Sequence, residues 1–295
     1  MSLVEKAIAK LRGSEVPPQA PVRAVNQRPP VAVIGIDLED TAKHRRLLDI
    51  DVEAMRMSGY LPEQTVEKQF AERYRQIKRP LVDRAATSTS HGELDPRVIM
   101  ITSALPGEGK TFNSVNLAFS LARERDISLL LVDADILKPN VSEIFGVKQE
   151  PGLMNALTDE ALPVESLVIG TSVKGLSILP AGQYAEGASE LLLSNHMKQI
   201  LQQLLAANPR RIILLDSPPL LITSESRALM KVAGQTVLVV RIGQTPVQAV
   251  KDALGLIGDS VLGGVMLNEA RLTLTESFYG YGTYGSYGNE KKQNP

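Results

Sequence analysis

The sequence predicts an α/β fold, a doubly wound and mostly parallel sheet flanked by helices, and three observations carry that prediction. Short apolar runs recur along the second two-thirds of the chain: RVIMITS (97–103), SLLLVDAD (128–135), LSILPA (176–181), RIILLDSPP (211–219), TVLVVRIG (236–243) and LGGVMLN (262–268). They are apolar throughout rather than alternating, as strands covered on both faces read. Helical patterns separate them, with KTFNSVNLAFSLARER (110–125) the plainest. Ligands of such sheets gather at the carboxyl ends of the strands. The glycine, lysine and acidic residues of chemical interest follow those ends.

Composition narrows the class. With 43% hydrophobic and 22% charged residues, the 295-residue chain reads as an ordinary globular protein with room for one large domain and appendages. A net charge of −1 gives no reason to expect nucleic acid as a partner. The absence of cysteine excludes disulfides and thiolate metal sites in this chain. No apolar run approaches the ~18 residues of a membrane helix, and MSLVEKAIAKL lacks the apolar core of a signal peptide. The expectation is a cytoplasmic protein whose membrane contact is indirect.

Four regions follow. Residues 1–30 hold a short amphipathic helix (Leu3, Val4, Ala7, Ile8, Leu11) and a Pro-rich linker, PPQAPVRAVNQRPP. Residues 31–92 read as mainly helical between 41 and 83, preceded by a short strand in VAVIGIDL and followed by a polar segment. Residues 93–270 form the α/β core, in which ASELLLSNHMKQIL (188–201) reads as one core helix carrying His196 as a surface or packing residue rather than a ligand. Residues 271–295 form a glycine-rich tail that places four of the chain's seven tyrosines, Tyr279, Tyr281, Tyr284 and Tyr287, in FYGYGTYGSYG. Little around them is apolar enough to bury their rings, so they read as displayed, either stickers or substrates.

The first core strand runs straight into ALPGEGKT (104–111), which fits the phosphate-loop pattern with Ala104 in place of the first glycine. Pro106, Gly107, Glu108 and Gly109 shape a turn whose N–H groups face a phosphate, and the helix from Lys110 through Phe112 adds its positive end. Lys110 reaches the β and γ phosphates of ATP, and the Thr111 hydroxyl ligates Mg²⁺. The fold class is thus a P-loop NTPase. Asp133 and Asp135 end one strand and Asp216 another. Residues two apart in an extended segment share a side, so both acids of the DAD pair are expected to face the phosphate. Mg²⁺ prefers oxygen ligands and keeps several waters, which assigns Thr111, Asp133 and Asp216 to the metal. Asp133 or Asp135 is then the acceptor of a proton from an attacking hydroxyl. His44, His91 and His196 show no metal-ligand spacing.

These residues resemble the bacterial tyrosine kinases of polysaccharide co-polymerase systems, in the P-loop class that includes the MinD and ParA ATPases. The resemblance rests on PGEGK (106–110), DAD (133–135), DSPP (216–219) and the tyrosine tail, over about residues 70–288. The opening and YRQIKRPL look most like the exosortase-associated tyrosine autokinases, a free-standing branch. Leu105 stands where MinD and ParA ATPases carry a signature lysine, which sets a switch ATPase second as the alternative. Glu72, Arg75 and Lys78 match an E-x-x-R-x-x-R assembly motif with lysine in the last place, and their spacing puts them on one helix face. The resemblance further implies Asn268 beside the adenine, and Lys138 or Arg241 near phosphate or a neighbouring subunit. It implies a ring-forming oligomer recruited to the membrane by a polysaccharide co-polymerase partner, with each tail phosphorylated by a neighbour.

Overall fold

The computed structural model describes residues 33–36, 46–87, 94–258 and 261–269. The amphipathic helix and linker of residues 1–30, His44, His91 and the four tail tyrosines lie outside them. Among the described residues one sheet contains β1 (Val33–Ile36), β2 (Arg46–Asp49), β3 (Val98–Ser103), β4 (Ser128–Asp133), β5 (Ile169–Thr171), β6 (Leu176–Leu179), β7 (Arg211–Asp216), β8 (Gln235–Arg241) and β9 (Leu262–Asn268). Their spatial order is β1-β2-β5-β6-β4-β7-β3-β8-β9. From β6 to β9 every neighbour is parallel, whereas β5 runs antiparallel to β6 and β1 antiparallel to β2.

The central strands are apolar on both faces because alternate residues enter two different cores. Val98, Met100, Leu130, Val132, Ile213 and Leu215 pack on one side of the sheet. Ile99, Ile101, Leu129, Leu131, Ile212 and Leu214 pack on the other. The first side is covered by α5 (Leu153–Thr158), α7 (Asn195–Ala207) and α8 (Ser224–Met230), through residues such as Leu153, Ile200, Leu204 and Leu229. The second is covered by α2 (Glu67–Thr87) and α3 (Lys110–Ala122), through Tyr74, Leu81, Leu117 and Leu121. A third cluster joins β8 to α9 (Val247–Ile257).

Three elements differ from the sequence reading. The stretch expected to be mainly helical, 41–83, contains β2 before α1 (Val52–Met57) and α2. RLLD is too short to display a 3.6-residue repeat, and Asp51 starts the helix only afterwards, its Oδ1 accepting from Ala54 N at 2.9 Å. β5 has three residues and carries no periodic signal of its own. Residues 188–201 form two helices, α6 (Ala188–Leu193) and α7, because the Ser194 hydroxyl caps the second by accepting from Met197 N at 3.3 Å. Ser194→Ala is expected to lower stability by about 1 kcal/mol, read as a lower urea midpoint with unchanged slope.

Candidate active site

β3 delivers the chain into residues 104–109, and α3 begins at Lys110. Gly107 and Gly109 have φ of 79° and 88°. At Gly109 a Cβ would also lie 2.1 Å from Asn268 Nδ2, so only glycine fits. Two amides hold the loop carbonyls: Asn268 Nδ2 donates to Glu108 O at 3.0 Å, and Asn113 Nδ2 donates to Gly109 O at 2.8 Å. A planar trans peptide points its N–H opposite its C=O. Fixing these two carbonyls therefore turns the N–H groups of Gly109 and Lys110 the other way, where they join the unpaired first turn of α3 as a cradle for phosphate.

Glu108, expected among the nucleotide contacts, has its side chain turned inward. Its carboxylate accepts from Leu105 N at 2.9 Å and from the Thr245 hydroxyl, and the residue is buried. It braces the loop from beneath, and with its carbonyl held by Asn268 it has only its backbone N–H to offer a nucleotide. Glu108→Ala is expected to weaken Mg-ATP binding about tenfold by releasing that brace, as measured by calorimetry.

The acids converge as the strand order dictates. Asp133 and Asp216 are register partners at the ends of β4 and β7. Asp216 Oδ2 accepts from Thr111 Oγ1 at 2.8 Å, and Oδ1 accepts from Ser114 Oγ at 2.7 Å. Asp133 Oδ2 accepts from both the backbone N–H and the hydroxyl of Ser142, each at 2.7 Å. Its Oδ1 is buried with no hydrogen-bond partner in the protein. Asp135 arrives differently from the expected same-side alternation, because β4 ends at Asp133. A turn carries Asp135 round, with Oδ1 accepting from Lys138 N at 3.1 Å and Oδ2 lying 3.3 Å from Lys110 Nζ.

Burial, reinforced by the neighbouring Asp216, pushes the Asp133 carboxyl up to about 8. Burial pushes Asp216 up to about 6, against the opposing pull of Lys110. Asp135 and Asp216 thus share one ammonium, and the Asp133 carboxyl beside them keeps one oxygen without a partner. That deficit suits an added cation. Thr111, Asp133 and Asp216 offer only oxygen, the donor Mg²⁺ prefers. Among the described residues no three His, Cys, Asp or Glu side chains group as a metal cage, so phosphate oxygens and water would complete the shell.

The other expected site residues are placed unevenly. Pro106 and Gly107 are exposed at the loop tip, and Phe112 is half-buried on the first turn of α3. Asn268 reaches the loop itself, as above. Lys138 is exposed, whereas the Arg241 guanidinium is paired with Glu269 at 2.8 Å. His196 is a packing residue, its Nε2 lying 2.9 Å from Ala156 O. The assembly triad is split. Glu72 and Arg75 form an ion pair of 2.7 Å at the exposed side of α2. Lys78 instead turns inward, donating to Ser120 O at 2.8 Å and pairing with Glu124 at 2.6 Å. Its stem is apolar, and α3 and the turn after it offer a carbonyl and a carboxylate together, so packing wins over display.

Sequence reasoning missed Ser114, Ser142, Asn113 and Thr245. Ser114 was findable, because it lies four residues after Lys110 and therefore on the same helix face. Thr245 reaches its acid across the fold, and Ser142 meets Asp133 nine residues earlier through the turn after β4, a spacing with no helical or strand period.

An AAA-domain family model matches residues 96–258. The tyrosine-protein kinase YwqD of Bacillus subtilis is 33% identical over 224 residues, which cover 74% of this chain and 88% of that protein. The chain belongs to the bacterial tyrosine-protein kinases. Within that family it is also 33% identical over 238 residues to the succinoglycan biosynthesis transport protein ExoP of Rhizobium meliloti, covering 79% of this chain but 28% of ExoP. The VpsO kinase domain superposes with a TM-score of 0.57 at 32% identity, covering 71% of this chain and all of that domain. The kinase-family chain is therefore similar to most of YwqD and to about a quarter of the much longer ExoP. The expected fold, a P-loop NTPase with a mostly parallel sheet flanked by helices, is the one observed. Among the described residues no helix is long and apolar enough to cross a membrane.

Proposed function

We propose that the chain is an ATP-dependent protein tyrosine autokinase whose substrate is its own cluster Tyr279, Tyr281, Tyr284 and Tyr287. The observation that carries this reading is the convergence of Lys110, Thr111, Asp133, Asp135 and Asp216 at one end of the sheet, in a chain of the tyrosine-kinase family. Lys110 and the loop N–H groups hold the β and γ phosphates. Thr111, Asp133 and Asp216 hold Mg²⁺, which neutralises charge on the phosphates. Asp133 or Asp135 takes the phenol proton as the tyrosine oxygen bonds to the γ phosphorus and the bond to the β-phosphate oxygen breaks. Such transfer asks mainly for positioning and electrostatics. Asn268 flanks the loop and borders the adenine side of the site.

β9 ends beside the phosphate loop, and Tyr279 follows Asn268 by eleven residues. At ~3.4 Å per extended residue that length spans more than 30 Å, so reach alone does not forbid phosphorylation of a chain's own tail. Delivery to a neighbour then depends on assembly, to which the Glu72–Arg75 edge contributes while Lys78 holds α2 in place. Each phosphate adds about −1.5 to −2 charge. Four of them turn a chain of net charge −1 strongly acidic, which drives neighbouring tails apart. In the cell this cycle regulates exopolysaccharide synthesis or export, with the chain cytoplasmic and brought to the membrane by a co-polymerase partner. The family branch is the exosortase-associated one.

Mass spectrometry of tail peptides after incubation with Mg-ATP tests the reading, with any activating segment added in parallel. Successive gains of about 80 mass units, one phosphate each, are expected on residues 279–287 and absent when all four tyrosines are Phe. Steady ATP turnover beside an unmodified tail would establish a switch ATPase instead.

A further inference from the structure

A buried hydrogen-bonded chain runs from α2 into the phosphate loop. The Tyr74 hydroxyl donates to Asn113 Oδ1 at 2.9 Å, and Asn113 Nδ2 donates to Gly109 O at 2.8 Å. Tyr74 and Asn113 are 6% and 4% exposed. Burial also holds the Tyr74 phenol well above the ordinary tyrosine range, so it stays a donor at every working pH. Phe70 stacks on the Tyr74 ring with centroids 6.4 Å apart, which fixes where the hydroxyl points.

The amide of Asn113 has one accepting and one donating end. The Gly109 carbonyl can only accept, so Nδ2 faces it, and Oδ1 is left to take the proton of the Tyr74 hydroxyl. Removing the hydroxyl leaves Oδ1 buried without that donor, a cost that favours displacement of the amide from its place. The backbone N–H of Asn113 also donates to Gly109 O, at 3.0 Å, so a displaced amide removes one of the two bonds that hold this carbonyl and, across the same peptide, the Lys110 N–H. On the outer part of the same helix, Glu72 and Arg75 flank Tyr74 in sequence, and Lys78 pins the next turn to Ser120 and Glu124.

We propose that Tyr74 is a positioning residue through which α2 supports the phosphate loop, by holding in place the Asn113 amide that in turn holds Gly109. This rests on the loop binding a nucleotide and not on the identity of the phosphate acceptor. Tyr74 touches no reacting atom; it acts through Asn113.

The test is a double-mutant cycle on the full chain, with Mg-ATP affinity measured by calorimetry and KM and kcat followed separately. Tyr74→Phe keeps the buried ring and removes one hydrogen bond, and is expected to weaken Mg-ATP binding about fivefold. It should raise KM for ATP by a similar factor with kcat nearly unchanged, because the loop N–H groups hold the phosphates before and during transfer alike. Asn113→Ala should weaken binding at least as much, and the double variant no further than Asn113→Ala alone. If Asn113→Ala fails to fold, Asn113→Asp replaces it. The aspartate keeps the acceptor for Tyr74 but sets a negative oxygen against Gly109 O, so binding should again weaken. Additive losses, or a lowered melting temperature for Tyr74→Phe with unchanged ATP affinity, would overturn the proposal by reducing Tyr74 to packing. A non-additive cycle in a protein that never phosphorylates its tail would uphold the positioning role and reject the kinase reading.

Discussion

Lys110→Met is expected to lower tail phosphorylation roughly a hundredfold to a thousandfold, the usual loss when a preorganised charge facing the transition state is removed. The ammonium is buried, 3.3 Å from Asp135 and close enough to Asp216 to pull its pKa down. Its charge therefore acts where water does not screen it. Methionine keeps the length and much of the apolar stem, so the packing of α3 on the sheet survives. The loop N–H groups are untouched by the substitution, so Mg-ATP affinity should fall less than the rate. Thermal melting and Mg-ATP calorimetry beside tail mass spectrometry check all three points. A variant that retained more than a tenth of the wild-type phosphorylation would remove Lys110 from the mechanism.

The central sheet was legible because each of its strands is an uninterrupted apolar run bounded by a helix or a turn. RVIMITS and RIILLDSPP could satisfy both cores at once in no other way. The loop was legible for a similar reason: ALPGEGKT combines backbone freedom, a lysine and a hydroxyl at a spacing with one physical use. What could not be read are contacts made by neighbours in space but not in sequence. Glu108 looks like a loop residue offered to solvent, yet Thr245, more than a hundred residues away, draws it inward. Lys78 sits at the helical spacing of an exposed charged edge. Only the presence of the Ser120 carbonyl and Glu124 beneath α2 turns it the other way. The strand β2 hides in a charged stretch because its four residues are paid for by pairing with β1 and β5, a gain that local propensity does not contain.

Asp133→Asn is expected to stabilise the nucleotide-free protein at pH 8 and to cripple the enzyme. The carboxyl of Asp133 has an ordinary value of 3.8 and stands at about 8 in the fold. Between those values the folded chain keeps a proton that the unfolded chain has released. The contribution to stability is therefore complete below about pH 4 and is lost progressively as pH rises through 8. Asparagine cannot ionise, and its carbonyl can still accept from Ser142, so the variant escapes that loss. Its melting temperature should match the wild type below about pH 4 and exceed it by at least roughly 5 °C at pH 8. On the proposed mechanism the same change removes an oxygen that would bind the metal or take the proton, and phosphorylation should fall at least about a hundredfold. Mg-ATP should then raise the melting temperature of the wild type more than that of the variant, because the cation relieves a repulsion between Asp133 and Asp216 that the asparagine no longer contributes. If the variant gains nothing at high pH, the carboxyl is not held protonated by burial. If it keeps its activity, the unpartnered oxygen of Asp133 is a packing accident, and the metal and the proton must both be served by Asp135 and Asp216.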